Sequence, residues 1–409
     1  MKIRSITLFL NPGWPLNTGL IQQVGAAARQ ARDQYSAAGY EVQTIRLATI
    51  PFPRLFASLT FNEQLQAIQS LDQAAIEAGF NYTTIGPALL DHPESYVQIP
   101  EIIAATETIF CSAEIATRTA GLSLPAVRAC ARIITELAPQ DPNGFANLYF
   151  TALANVGPGS PFFPAAYHGE GQTAFALAVE SAGLAVSAFQ RANTLDEGAA
   201  NLQAVIEEHA HKLTKISGQV SGSAEIAFSG IDFSLAPFPE AASSLGTAVE
   251  ALGVPKIGLH GSLAAAALLA STLDQADFQR IGFSGLLFPQ MEDSVLAERA
   301  AEGVLTVKDM LMYSAVCGTG LDTIPLPGET TPEQLAPLLL DLAALALRLD
   351  KPLTARLMPI PGKQAGQATN FDFPFFANSR VMPLSSEGMQ SLLLQDSRIA
   401  IHSRGKTED

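Results

Sequence analysis

The run Tyr167-His168-Gly169-Glu170-Gly171 sets an imidazole and a carboxylate two residues apart, with a glycine after each. A histidine and a nearby carboxylate can act as acid and base or supply two metal ligands. Glycine lets the backbone turn sharply or close on a ligand. The plain structural alternative is a turn in which Glu170 caps a helix beginning near Thr173.

Three further segments share this polar, glycine-bracketed design. In Gly230-Ile231-Asp232-Phe233-Ser234-Leu235-Ala236-Pro237, Asp232 follows a strand, where α/β proteins place ligand contacts. An Asx turn with a proline stop explains it equally well. In Gly258-Leu259-His260-Gly261-Ser262, His260 falls where a strand meets a helix, and the helix-start N–H groups can hold an anion. Ser262 as a simple N-cap, with His260 a satisfied buried histidine, is the alternative. In Cys317-Gly318-Thr319-Gly320-Leu321-Asp322, a thiol in a tight loop becomes a nucleophile if a partner lowers its pKa. Cysteine is otherwise commonly buried and inert. Asp322, a carboxylate in an apolar stretch, needs a partner. Cys111 and Ser112 end a strand and form a weaker candidate contact. Arg356 is a strand arginine able to clamp a carboxylate or phosphate, with Lys363 to assist; structural ion pairs account for these weaker candidates at least as well.

The elements that must carry these residues alternate between strand and helix patterns. Strands are expected at 3–10, 41–48, 108–112, 148–155, 224–229, 256–259, 282–288 and 354–358. Helices are expected at 62–79, 124–137, 194–216, 243–252, 262–272 and 331–349. An N-terminal helix is capped by Asn17, with Leu20, Val24, Ala27 and Ala31 on one face. This order predicts an α/β architecture in one continuous domain, residues 1–404, with a loose tail at 405–409.

The 409 residues carry a net charge of −15, which disfavours nucleic acid and anionic membranes. Charged residues are 15%, against about 25% in an ordinary globular protein. That points to a large buried volume and a subunit interface, with a homodimer the expected assembly. No apolar run reaches membrane-span length, and the N-terminus lacks a signal-peptide pattern, so a cytoplasmic location is expected. The three cysteines fit neither a zinc site nor a disulfide framework. No P-loop, dinucleotide fingerprint, nucleophile elbow or zincin motif is present, so no nucleotide cofactor is expected. His209-x-His211 sits mid-helix, where residues two apart diverge.

The ordered motifs Cys111-Ser112, 162–171, 232–237, 258–261, 317–322 and 354–363 resemble the domain of unknown function 711 family, also catalogued as uncharacterised protein family 0210. The resemblance covers most of the chain. It implies a ten-stranded pyruvate formate-lyase-like α/β barrel with Cys317 near its centre. The glycyl-radical relatives need a C-terminal glycine, and Arg380-Val381-Met382-Pro383 has proline there, so no glycyl radical is expected. Segment 372–377 is bulky and aromatic where the family pattern is small and glycine-rich, which implies a narrower pocket or another ligand.

Together these readings predict an enzyme using polar acid/base or metal-assisted chemistry on a small anionic metabolite. Lyase, isomerase or hydrolase chemistry is favoured over radical chemistry. His168, Glu170, Asp232, His260, Cys317 and Asp322 would carry the reaction in one barrel mouth. Arg356, Lys363, Cys111 and Ser112 would bind substrate. A divalent metal on His168, Glu170 and His260 is one variant. A ligand-binding or regulatory protein on a degenerate barrel is the alternative.

Overall fold

A computed structural model describes residues 1–224 and 226–403; the expected tail at 405–409 lies outside the described residues. Among the described residues eleven strands form one sheet: β1 (Lys2–Leu10), β2 (Val42–Thr49), β3 (Tyr82–Ala88), β4 (Ile109–Thr117), β5 (Gly121–Ser123), β6 (Phe150–Ala154), β7 (Ala174–Glu180), β8 (Ala227–Asp232), β9 (Gly320–Pro327), β10 (Leu353–Ile360) and β11 (Arg398–Ile399). The main path runs β8-β7-β1-β2-β3-β4-β6-β10-β9, with β5 and β11 branching off β4. Neighbours on that path are parallel except at β7–β1 and β6–β10, and the β4–β5 and β5–β11 branch pairs are antiparallel, so the sheet is mixed.

The helices start where local chemistry directs. Asn17 accepts from the Leu20 amide at 3.0 Å and opens Thr18–Ala37. Thr60 and Glu63 form a capping box for Phe61–Glu77, as Thr331 and Gln334 do for Pro332–Leu349. Ile21, Val24 and Ala28 on the first, and Leu335, Leu339 and Leu342 on the last, are buried in one large core. This outer face follows from helical periodicity.

The inner face of the sheet is different. One cavity takes side chains from β1, β2, β3, β4, β6, β9 and β10. Seven strands laid flat would span roughly 30 Å at about 4.8 Å spacing, so the sheet must curl around that space. The β6–β7 connection enters the curl. Thr7 Oγ1 donates to Pro161 O at 2.9 Å, and the His168 amide donates to Thr49 O at 2.8 Å.

The expected ten-stranded closed barrel is not what the ladder forms: it is open between β8 and β9. Residues 280–290, expected to include a strand, lie in that gap and make only isolated bridges. These join Ile231 to Arg280, Leu235 to Leu286 and Pro289 to Asp322. Gly282, Gly285 and Pro289, with Ser284 at φ +39°, prevent a regular ladder. Here Gly285 meets Gly318 backbone to backbone; a Cβ on Gly285 would lie 2.6 Å from Gly318 Cα. Gly285→Ala is therefore expected to lower thermal stability, by about 1–3 kcal/mol of overpacking. An unchanged melting temperature would show that this contact yields freely.

Other differences have local causes. Residues 256–259, expected as a strand, form turns, with Gly258 at φ +108° pressed against Val304 O. β3 and β9 were not expected because Gly86-Pro87 and Pro325-Leu326-Pro327 carry turn residues inside strands. β7 reads Ala-Phe-Ala-Leu-Ala-Val-Glu, an alanine-rich run with no strong β signal.

Candidate functional site

The sheet's inner cavity holds a charged cluster within an aromatic wall. Arg4, Arg46, Glu292, Asp322 and Arg356 line it, with Tyr82, Phe110, Phe163, Phe373 and Phe375 around them. Its volume is about 110 Å³, which suits a small molecule.

Strand geometry delivers these side chains. Thr44 and Arg46 share a face of β2, and Thr354 and Arg356 share one of β10, while Ile45, Leu47, Ala355 and Leu357 pack into the large core with the helices. On β1, Ser5 and Thr7 face the inserted connection. Strict alternation would aim Arg4 the other way, but the ladder with β7 shifts register between Ile3 and Ser5, where Arg4 sits.

Two of the three arginines are committed to carboxylates. Arg356 donates from Nε to Asp322 Oδ1 at 2.6 Å and from a terminal nitrogen to Glu292 Oε1 at 2.8 Å. Arg4 pairs with Glu292 and lies 3.5 Å from Glu180 Oε2, which also accepts from Gln43 at 2.8 Å. Arg46 is the exception. It is 8% exposed, and its Nε donates to Thr44 Oγ1 at 2.8 Å. Among the described residues no carboxylate pairs with it. Its guanidinium instead lies 5.0 Å from the Phe163 ring centre and 5.7 Å from that of Tyr82.

The cluster drives its titrating groups apart. Burial would raise the Glu292 carboxyl, but Arg4, Arg356 and Arg46 together hold it below the usual range. Burial raises Asp322, against the pull of Arg356 and with help from Glu292. Burial likewise raises Glu180, against Arg4. Burial, then the charge of Arg4, pulls Arg46 down to about 9, still cationic at neutral pH. One carboxyl held ionised beside one that takes a proton more readily is the pattern of an acid/base pair. Thr319 Oγ1 on the same wall is buried with no hydrogen-bond partner among the described residues.

The structure brings together only part of the expected constellation. Asp322 and Arg356 meet here. His168 and Glu170 line a separate cavity of about 600 Å³ with Asn11, Arg54, Glu114 and Tyr167, at the ends of β1 to β3. The β6–β7 connection runs between the two, its Phe162–Ala165 portion lining the arginine cavity and its Tyr167–Gly171 portion lining the other. Burial lowers His168, against a hydrogen bond with the Gly171 backbone. Exposed His260 lines neither cavity. Among the described residues, no group of three or more His, Cys, Asp or Glu side chains is placed to hold a metal ion. The three ligands expected for a divalent metal are thus not brought together: His168 and Glu170 share a cavity that His260 does not line.

Cys317 is buried, and its Sγ accepts from the Gly320 amide at 3.3 Å. Cys111 is buried, and burial raises its thiol. Ser112 is fully buried, its hydroxyl without a partner among the described residues. Lys363 lies on a turn outside both cavities. His209 binds Tyr40 OH at 3.0 Å.

Asp232 holds a loop in place. Its carboxylate accepts from the Phe283 amide at 2.7 Å, the Ser284 amide at 2.9 Å and Ser234 Oγ at 2.5 Å. Burial pushes it to about 6, against these hydrogen bonds. The folded value lies above the unfolded one, so the folded state binds the extra proton. Stability should fall as pH rises from about 4 to about 6. Asp232→Asn should cost about 1–3 kcal/mol by facing an amide N–H with a donor, and should flatten that slope. Thermal unfolding across this window checks both; an unchanged slope would contradict the assignment.

A family described as Uncharacterised ACR (DUF711) matches residues 1–379. The chain belongs to that family. A relative named UPF0210 protein from Pyrobaculum arsenaticum is 30% identical over 395 residues, covering 90% of this chain and 86% of its own. Another from Desulforudis audaxviator is 31% identical over 352 residues, covering 81% and 77%. A third from Oenococcus oeni is 26% identical over 400 residues, covering 94% and 89%. The DUF711 match includes the cavity's arginines, Glu292, Asp322 and the phenylalanines at 373 and 375. No described helix of this DUF711 protein is long and apolar enough to cross a membrane.

Arg4, Arg46, Glu180 and Glu292 escaped the sequence reading. The one signal available was charge placed inside otherwise apolar strands: Arg46 within Val42–Thr49, and Arg4 within Lys2–Leu10.

Proposed function

We propose that this DUF711 protein is an enzyme that holds a small anionic metabolite in the arginine cavity and works on it by polar acid/base chemistry. The observation that carries the reading is Arg46, a buried cation facing a cavity without a carboxylate partner among the described residues. A buried charge is costly unless paired, and a ligand's carboxylate or phosphate completes the pair. Asp322 is the proton donor and acceptor. Glu292 stays ionised and, with Arg356, positions it. No step runs through a metal or a glycyl radical, and the β6–β7 connection covers the bound ligand. The pyruvate formate-lyase-like relation fits a curled sheet with a segment inserted inside it. A cytoplasmic homodimer is the setting this reading assumes, supported by the low charge fraction.

The test is to incubate the purified protein with pooled small carboxylates and phosphate esters and follow each by NMR. One compound should be consumed by the wild type, and Asp322→Asn should abolish turnover while still binding it. Turnover that survives Asp322→Asn would overturn the assignment. Binding without turnover would make the protein a ligand-binding protein instead.

A further inference from the structure

We infer that the arginine cavity selects a single carboxylate carried on a flat ring, an aromatic carboxylic acid, over phosphate and over acyclic dicarboxylates. The inference rests on the anion-site reading above.

The number of charges is set by the arginines. Arg46 spends Nε on Thr44, which leaves its two terminal nitrogens as one end-on fork. That fork matches a planar carboxylate in two parallel hydrogen bonds. Arg4 and Arg356 are occupied by Glu180, Glu292 and Asp322. The second charge of a phosphate or dicarboxylate therefore meets Glu292 and Asp322 with no free cation to offset them. Like charges sharing one small cavity repel.

The shape is set by the rings. The Arg46 guanidinium lies over Phe163 and Tyr82, which fixes the direction of the fork. Phe110 contacts both rings, at centroid distances of 5.3 Å to Tyr82 and 5.4 Å to Phe163. Phe373 and Phe375, 5.2 Å apart, add further aromatic wall. A flat ring covers such walls by stacked or edge-on contact. An acyclic chain leaves much of them uncovered.

Calorimetric titration of the full chain with benzoate, benzamide, succinate and inorganic phosphate tests this. Benzoate should bind, with benzamide, succinate and phosphate each weaker by at least about tenfold. Arg46→Lys keeps the charge but loses the fork, and should weaken benzoate by about tenfold. Thermal unfolding of the variant confirms that it is folded. Phosphate or succinate binding as tightly as benzoate would overturn the ring-carboxylate inference and leave the anion site standing. If none of the anions binds, or if benzoate binds Arg46→Lys unchanged, the anion-site reading fails as well.

Discussion

Replacing Arg46 by glutamine is expected to remove small-anion binding while leaving the fold intact. Charged hydrogen bonds contribute about 1.5–3 kcal/mol each, so the loss in affinity should be tenfold to more than a hundredfold. The fold should tolerate the change because Arg46 closes no described salt bridge. Its one side-chain hydrogen bond runs to Thr44, two residues away on the same strand face. Relieving a buried cation that burial and Arg4 already disfavour should raise the melting temperature slightly. Calorimetry and thermal unfolding on one preparation check both halves. Collapse of the fold would mean that Arg46 is a structural ion after all.

Arg356→Ala should do the opposite. This arginine satisfies two carboxylates, Asp322 at 2.6 Å and Glu292 at 2.8 Å. Removing one member of such a buried pair costs about 3–5 kcal/mol, because the partners stay behind uncompensated. Arg4 still holds Glu292, so Asp322 bears most of the loss. Its carboxyl, already raised by burial, rises further. The folded state then binds a proton that the unfolded state releases, and stability falls as pH rises through the interval between the two values. The variant should thus lie closest to wild type at acid pH, where Asp322 is protonated in both states, and fall furthest below it once the carboxyl must ionise. Melting curves across that range test it. A pH-independent deficit would point to lost packing rather than lost charge.

The two variants show why the outer layers of this fold were legible and its centre was not. The cap at Asn17 is a local pattern that marks the first helix, and the helix expected at 331–349 forms as Pro332–Leu349. Strands built of turn residues, β3 and β9, and the bridging segment 280–290 depend on neighbours far away in the chain. The site follows the same rule. In the sequence Asp322 and Arg356 stand apart as separate candidates, and the β9–β10 pairing makes them partners. Arg4 reaches the cavity at a register shift that no periodicity announces. His168 and Glu170 carried the loudest local signal, a glycine-bracketed pair. Yet the connection that bears them puts its phenylalanines toward the arginines and its histidine toward the other cavity. Spacing shows that a loop is unusual, but not which of its two ends faces the chemistry.

The central claim is that the ligand site is the arginine cavity rather than the His168–Glu170 cavity. A crystal structure of the full chain grown with benzoate addresses it most directly. A carboxylate should lie within hydrogen-bond distance of the Arg46 terminal nitrogens, with a ring against Phe110 and Phe163. Benzoate bound beside His168 and Glu170, with the arginine cavity unchanged, would contradict it.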